Sequence, residues 1–199
     1  MQVLTKRIEA FKYDELTNDV KEAVNIKIAE YYEDLTPILS DDFIREINEK
    51  LPYFEEPKLQ WSLSWSQGDG VSFSATVNVN EFLKTKNLKK TIFDALCNYL
   101  QIKSTGNTGH YCYASKSDIK WELNSYKEYP RLENLIIKFI DDLKQEYKDL
   151  CNELEKMGYN AISYAYSEEN TKNWIAFNNV LFEKDGTFIF MNNENIKKN

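Results

Sequence analysis

Hydrophobic and polar residues alternate on both sides of one short break. Trp61, Leu63 and Trp65 share one face of the run 58–66, and Val71, Phe73, Ala75, Val77 and Val79 share one face of 71–79. A period of two on either side of Ser66-Gln67-Gly68-Asp69-Gly70 predicts a β-hairpin bent at those five residues. A second hairpin is expected at 109–123, where Tyr111 and Tyr113, then Ile119, Trp121 and Leu123, alternate around Ser-Lys-Ser-Asp. A third is expected in VLFEKDGTFIF, with Asp185-Gly186 at its bend. Residues 2–11 are rich in β-formers and predict a first strand.

Between these runs the spacing becomes helical. Leu16, Val20, Val24, Ile28 and Tyr31/Tyr32 recur every three or four positions, with Thr17 as N-cap. Phe43, Ile44, Ile47 and Leu51 give a helix from Ser40 or Asp41 that Pro52 ends. Ile92, Leu96 and Leu100 place a helix over 80–101. Pro130 opens a long one, striped by Leu132, Leu135, Ile136, Phe139, Ile140, Leu143, Tyr147, Leu150 and Leu154, with Gly158 ending or bending it. A further helical segment spans 160–178, its last part capped by Ser167, and the tail NNENIKKN is polar. Hairpins and helices that do not strictly alternate predict an α+β fold, an antiparallel sheet packed by several helices. One domain over 1–199 is expected, with an acidic helical part at about 12–51 and a sheet and long-helix part at about 58–191.

Composition narrows the class. Of 199 residues, 42% are hydrophobic and 14% aromatic, enough for a core. No apolar run approaches the roughly 18 residues of a membrane span, and the N-terminus has no signal-peptide h-region. Cys97, Cys112 and Cys151 are odd in number and form no CxxC pair, which fits reduced thiols in a cytoplasmic protein. The net charge is −7, and residues 1–60, with 14 acidic and 8 basic residues, carry −6 of it. Such a surface repels nucleic acid; it reads as a solvated face that aids solubility or, alternatively, as one that attracts a basic protein face.

Catalytic signals are sparse. His110 is the one histidine, at the start of an expected strand, and no zinc spacing, Walker loop, GxGxxG or GxSxG is present. Neither a cofactor nor a metal is expected. Asp41-Asp42 and Glu55-Glu56 are adjacent, so their side chains diverge rather than share a site. Gly68-Asp69-Gly70 can cradle an anion or offer Asp69 to a cation, but it leads into a strand and lacks further acidic ligands. The simpler reading is a turn in which Asp69 or Ser66 bonds backbone amides. Trp61, Trp65, Phe73, Tyr111, Tyr113 and Trp121 could stack bases from a sheet face, without interleaved basic residues.

FKYDELTNDVKEAV, SWSQGDGVSF, GHYCYASKSDI, DLCNELEKMGY and SEENTKNWIAFNNVLFEKDG occur in that order. In this the chain resembles small phage and prophage proteins with an F-x-E-L-S start, an S-Q-G-D-G-x-x-F core and an S-D-E…N-x-x-F-x-x-D-G finish, often labelled antitoxin of a toxin–antitoxin stability system. LTNDV departs from the usual Ser-Glu/Asp, and Asn80 to Thr108 matches poorly. The resemblance implies a phage or prophage setting and the host cytoplasm, and it brings no catalytic motif. The leading expectation is therefore an accessory protein that binds and inhibits a host protein with a basic surface, such as a CRISPR nuclease, another nucleic-acid-binding effector or a toxin. Its contacting carboxylates would be Glu30, Glu33, Asp34, Asp41, Asp42, Glu46, Glu49, Glu55 and Glu56, with Gln67 and Asp69 of the loop second. The alternatives are a nucleic-acid-binding antitoxin or regulator using the aromatic sheet face, and a carboxylate- or metal-dependent enzyme centred on Asp69.

Overall fold

The alternation around the SQGDG bend becomes two paired strands, β1 (Phe54–Ser62) and β2 (Gly70–Val77), in a computed structural model that describes residues 8–31, 35–105, 111–123 and 130–191. Their register runs antiparallel from Phe54 opposite Val77 to Ser62 opposite Gly70, with a bulge between Glu55 and Lys58 where Glu56 has φ 50°. The chain folds as two compact units, Thr36–Tyr159 in one and the described residues of Met1–Leu35 and Asn160–Asn199 in the other.

In the 36–159 unit, β3 (Leu100–Thr105) and β4 (Asp118–Leu123) complete an antiparallel sheet of order β1-β2-β3-β4. Val71, Phe73 and Val77 of β2, Leu100 and Ile102 of β3 and Ile119 of β4 are buried. The long helix α5 (Pro130–Ala165) buries Ile136, Ile140, Leu143, Tyr147, Leu150 and Leu154 at the expected spacing. Tyr147 joins it to the sheet: its ring lies 4.6 Å from that of Phe73, and its hydroxyl accepts the Phe73 N–H at 2.9 Å and donates to the Phe73 carbonyl at 2.7 Å. The architecture is α+β.

Several elements differ from the sequence pattern. Helix α2 (Leu35–Lys50) begins five residues before Ser40, because Pro37 falls in the first turn, where its missing N–H has no helical partner to lose. The helix expected over 80–101 is two, α3 (Val79–Lys84) and α4 (Lys90–Tyr99), separated by a turn with Asn87 at φ 49°. Asn78 caps α3 by accepting the Glu81 N–H at 3.2 Å, and Leu100 begins β3 instead of closing a helix. The 109–123 hairpin is not formed as expected. Strand β4 pairs with β3, Ile119 opposite Ser104 and Trp121 opposite Ile102. Residues 111–113 are not in a strand, and Gly109 and His110 lie outside the described residues. α5 runs through Gly158 unbroken. The reason for glycine there is space: a Cβ would run into Leu63 Cδ1 and come within 3.0 Å of the Phe43 ring.

In the second unit, which also holds the end of α5, α1 (Asn18–Tyr31), α6 (Glu168–Asn178) and the hairpin of β5 (Val180–Phe182) and β6 (Phe188–Phe190) surround Tyr13, Leu16, Val24, Ile28, Val180 and Phe182. The third hairpin thus forms as expected, and Ser167 caps α6 by accepting the Asn170 N–H at 3.1 Å. Of the expected first strand, residues 2–7 lie outside the described residues, and Phe11 makes an isolated antiparallel bridge to Phe182. Tyr32 and the tail 192–199 also lie outside them. No described helix is long and apolar enough to cross a membrane.

Candidate functional site: a clasped loop with an exposed tryptophan

The strands stop earlier than the alternation suggests, so residues 63–69 form the connection. Trp65 is therefore not on a strand face with Trp61 and Leu63. Leu63 is buried, while Trp65 has φ 60° and 73% of its surface exposed. Left-handed backbone is costly for a bulky side chain and persists only where its surroundings enforce it.

Asp69 does the enforcing. It is 9% exposed, covered by its own loop. Oδ1 accepts the hydroxyls of Ser62 at 2.9 Å, Ser64 at 3.1 Å and Ser66 at 3.1 Å. Oδ2 accepts the Ser66 N–H at 2.9 Å and the Tyr159 hydroxyl at 2.9 Å. Tyr159 stands on α5. Its ring lies 4.3 Å from that of Trp65 at 35°. One tyrosine thus packs on the ring of Trp65 while its bond to Asp69 ties the loop to the helix.

Residues 111–113 run beside this loop. The Cys112 N–H donates to the Gly68 carbonyl at 2.8 Å, and Tyr111 and Tyr113 stack at 5.4 Å. Gly70, at φ 148°, lies against Tyr113, where a Cβ would come within 2.8 Å of backbone Cα. Only glycine meets both conditions.

Burial would raise the Asp69 pKa, but the hydrogen bonds of Ser66, Ser62 and Tyr159 outweigh it and hold the carboxyl well below the usual range. Its charge acts on its neighbours. Tyr159 is pushed up to about 12, first by burial and then by its bond to Asp69. Glu155, one helical turn before Tyr159, is raised by burial and then by Asp69, and so is Cys112. With five donors on its oxygens, Asp69 is an ionised clasp and has little capacity left as a base or a metal ligand. Among the described residues no group of three or more His, Cys, Asp or Glu could hold a metal.

The other carboxylates singled out in the sequence occupy three elements. Glu30 is exposed on α1. Asp41 and Glu49 are exposed on α2, where Asp42 pairs with Arg45 at 2.6 Å and Glu46 with Lys50 at 3.3 Å. Glu55 and Glu56 are exposed on β1, and Glu55 accepts from Asn78 at 2.8 Å. Gln67 is exposed in the loop, whereas Glu33, Asp34 and His110 lie outside the described residues. Of the aromatics considered for base stacking, Phe73 is fully buried and Trp61 packs edge-on against Phe43 of α2. Sequence reasoning missed Tyr159, Glu155, Ser62 and Ser64. The serines at every second position of WSLSWS were a visible hint of one shared acceptor; nothing local marked Tyr159 or Glu155.

A family described as Domain of unknown function (DUF8835) matches residues 27–171. The chain belongs to that family. The matched span contains the whole clasp, from Ser62 to Tyr159. No curated protein and no solved structure matches the chain.

Proposed function

We propose that this DUF8835 member is a binding protein whose recognition element is the clasped loop 63–69, with Trp65 as anchor and the exposed carboxylates of α2 and β1 as charged support. One observation carries the reading: a large apolar ring is held out in water on strained backbone by a network of partly buried hydrogen bonds to Asp69. Rigid exposed aromatics of this kind are typical anchors of protein interfaces, because little entropy remains to be lost on binding. The partner is a host protein with a basic surface, met in the bacterial cytoplasm. The likeness to phage and prophage proteins supports a defence nuclease, another nucleic-acid-binding effector or a toxin as its class, with inhibition by occupation of the basic face. The excess of carboxylates supports steering toward such a face.

The test is co-purification from nuclease-treated bacterial lysate, comparing wild type with Trp65→Ala and with a charge-reversed α2 (Asp41, Asp42, Glu46 and Glu49 to Lys). The expected result is one stoichiometric protein that Trp65→Ala loses and charge reversal weakens. Retention of the same partner by correctly folded Trp65→Ala overturns the reading.

A further inference from the structure

The loop's surroundings indicate what kind of group it would receive. Trp65 has one ring face on Tyr159 and most of its surface in solvent, so its other face is open. The hydroxyl of Tyr159 is bonded to a carboxylate that carries full charge, and Glu155 lies on the same helix four residues before it. Two carboxylates act on this corner: Asp69 on Tyr159, Glu155 and Cys112, and Glu155 on Tyr159. An open indole face in a negative field attracts cations and repels phosphate.

We propose that the Trp65–Tyr159 pair, with Asp69 and Glu155 beside it, is a seat for an arginine side chain presented by a basic protein surface. This rests on the reading of loop 63–69 as the recognition element and names the group it recognises. Arginine fits better than lysine because its guanidinium is flat, weakly hydrated and stacks on an aromatic face while keeping its edge for hydrogen bonds. Glu155, half-buried and within one turn of Tyr159, supplies an acceptor for that edge. The stacked Tyr111 and Tyr113, tied to the loop through Cys112, offer apolar surface to the residues flanking the arginine. A nucleobase would also stack on Trp65, but its phosphates would meet Asp69 and Glu155.

The experiment is a titration of the full ¹⁵N-labelled chain at low salt, following the Trp65 indole N–H. The probes are hexa-arginine, hexalysine, hexacitrulline and a thymidine oligonucleotide. Hexa-arginine is expected to shift the Trp65 signal and to bind more tightly than hexalysine, with citrulline and the oligonucleotide leaving the signal unmoved. Measured by isothermal titration calorimetry, Trp65→Ala and Glu155→Gln should each weaken hexa-arginine binding about fivefold, the scale of one cation–π or charged hydrogen-bond contact, with Trp65→Phe losing less. Equal binding of arginine and lysine that ignores both substitutions, or a Trp65 shift with the oligonucleotide alone, overturns the proposal. If arginine fails at Trp65 while Trp65→Ala still loses the captured partner, the loop remains the recognition element and only the ligand class is wrong. If both experiments are indifferent to Trp65, both readings fall.

Discussion

At the residue scale, Asp69 links loop shape to pH. Its folded pKa is depressed, so its stabilising effect is complete above the unfolded value near 3.9 and is lost as the pH falls toward the folded value. Asp69→Asn keeps the shape but removes the charge and turns an amide NH₂ toward hydroxyl and N–H donors that need an acceptor. We expect a loss of about 2–3 kcal/mol at neutral pH, typical of breaking a buried, charged hydrogen-bond group. Urea unfolding from pH 7 to pH 2.5 should show that difference holding steady to about pH 4 and shrinking below it. A difference that stays constant down to pH 2.5 would mean that the carboxylate's charge is not what closes the loop.

At the scale of elements, the long helix and the loop depend on one another through Gly158. Alanine there should gain about 1 kcal/mol of helix propensity, but its methyl group collides with Leu63 and crowds Phe43. Gly158→Ala is expected to lower stability by about 1–3 kcal/mol in the wild type. In a Leu63→Ala background the same change should cost far less or become favourable, since the colliding methyl is gone; thermal unfolding of the four proteins in a double-mutant cycle measures this. In the other unit, Ser167→Ala should cost about 1 kcal/mol by uncapping α6, with little effect on the arginine seat in the 36–159 unit. The two helices at 79–84 and 90–99 show how far periodicity alone can mislead. Ile92, Leu96 and Leu100 do lie in line, but Asn78 and the 85–89 turn start separate helices, and Leu100 joins the sheet opposite Leu123.

For the whole molecule, the net charge of −7 would set the conditions under which the proposed basic partner binds. If a basic partner is held by carboxylates around a stacked arginine, affinity should fall about tenfold or more between 50 and 500 mM salt, mainly through slower association. Surface plasmon resonance with the captured partner checks both parts, and an affinity indifferent to salt would leave Trp65 without its charged support. The α+β architecture was legible because helices and hairpins are written locally: the stripe of α5, the Asp185-Gly186 bend and the Ser167 cap each need only a few neighbouring residues. The pairing of β4 with β3 was not legible, because Tyr111 and Tyr113 alternate as a strand would, while the chain there is drawn against Gly68 instead.

Sequence by itself determined that SQGDG is a bend between two strands and offered Asp69 or Ser66 to bond the bend's amides, since both follow from glycine geometry and short-range hydrogen bonding; the structure has Asp69 in that role. Tertiary structure alone decided what the bend displays. Tyr159 lies ninety positions from Asp69, and only the packing of α5 against Leu63 brings its hydroxyl to the carboxylate and its ring to Trp65. A tryptophan that alternation assigns to a buried strand face is thereby turned into solvent, because five donors converging on one buried charge outweigh the local preference of the chain for an extended strand.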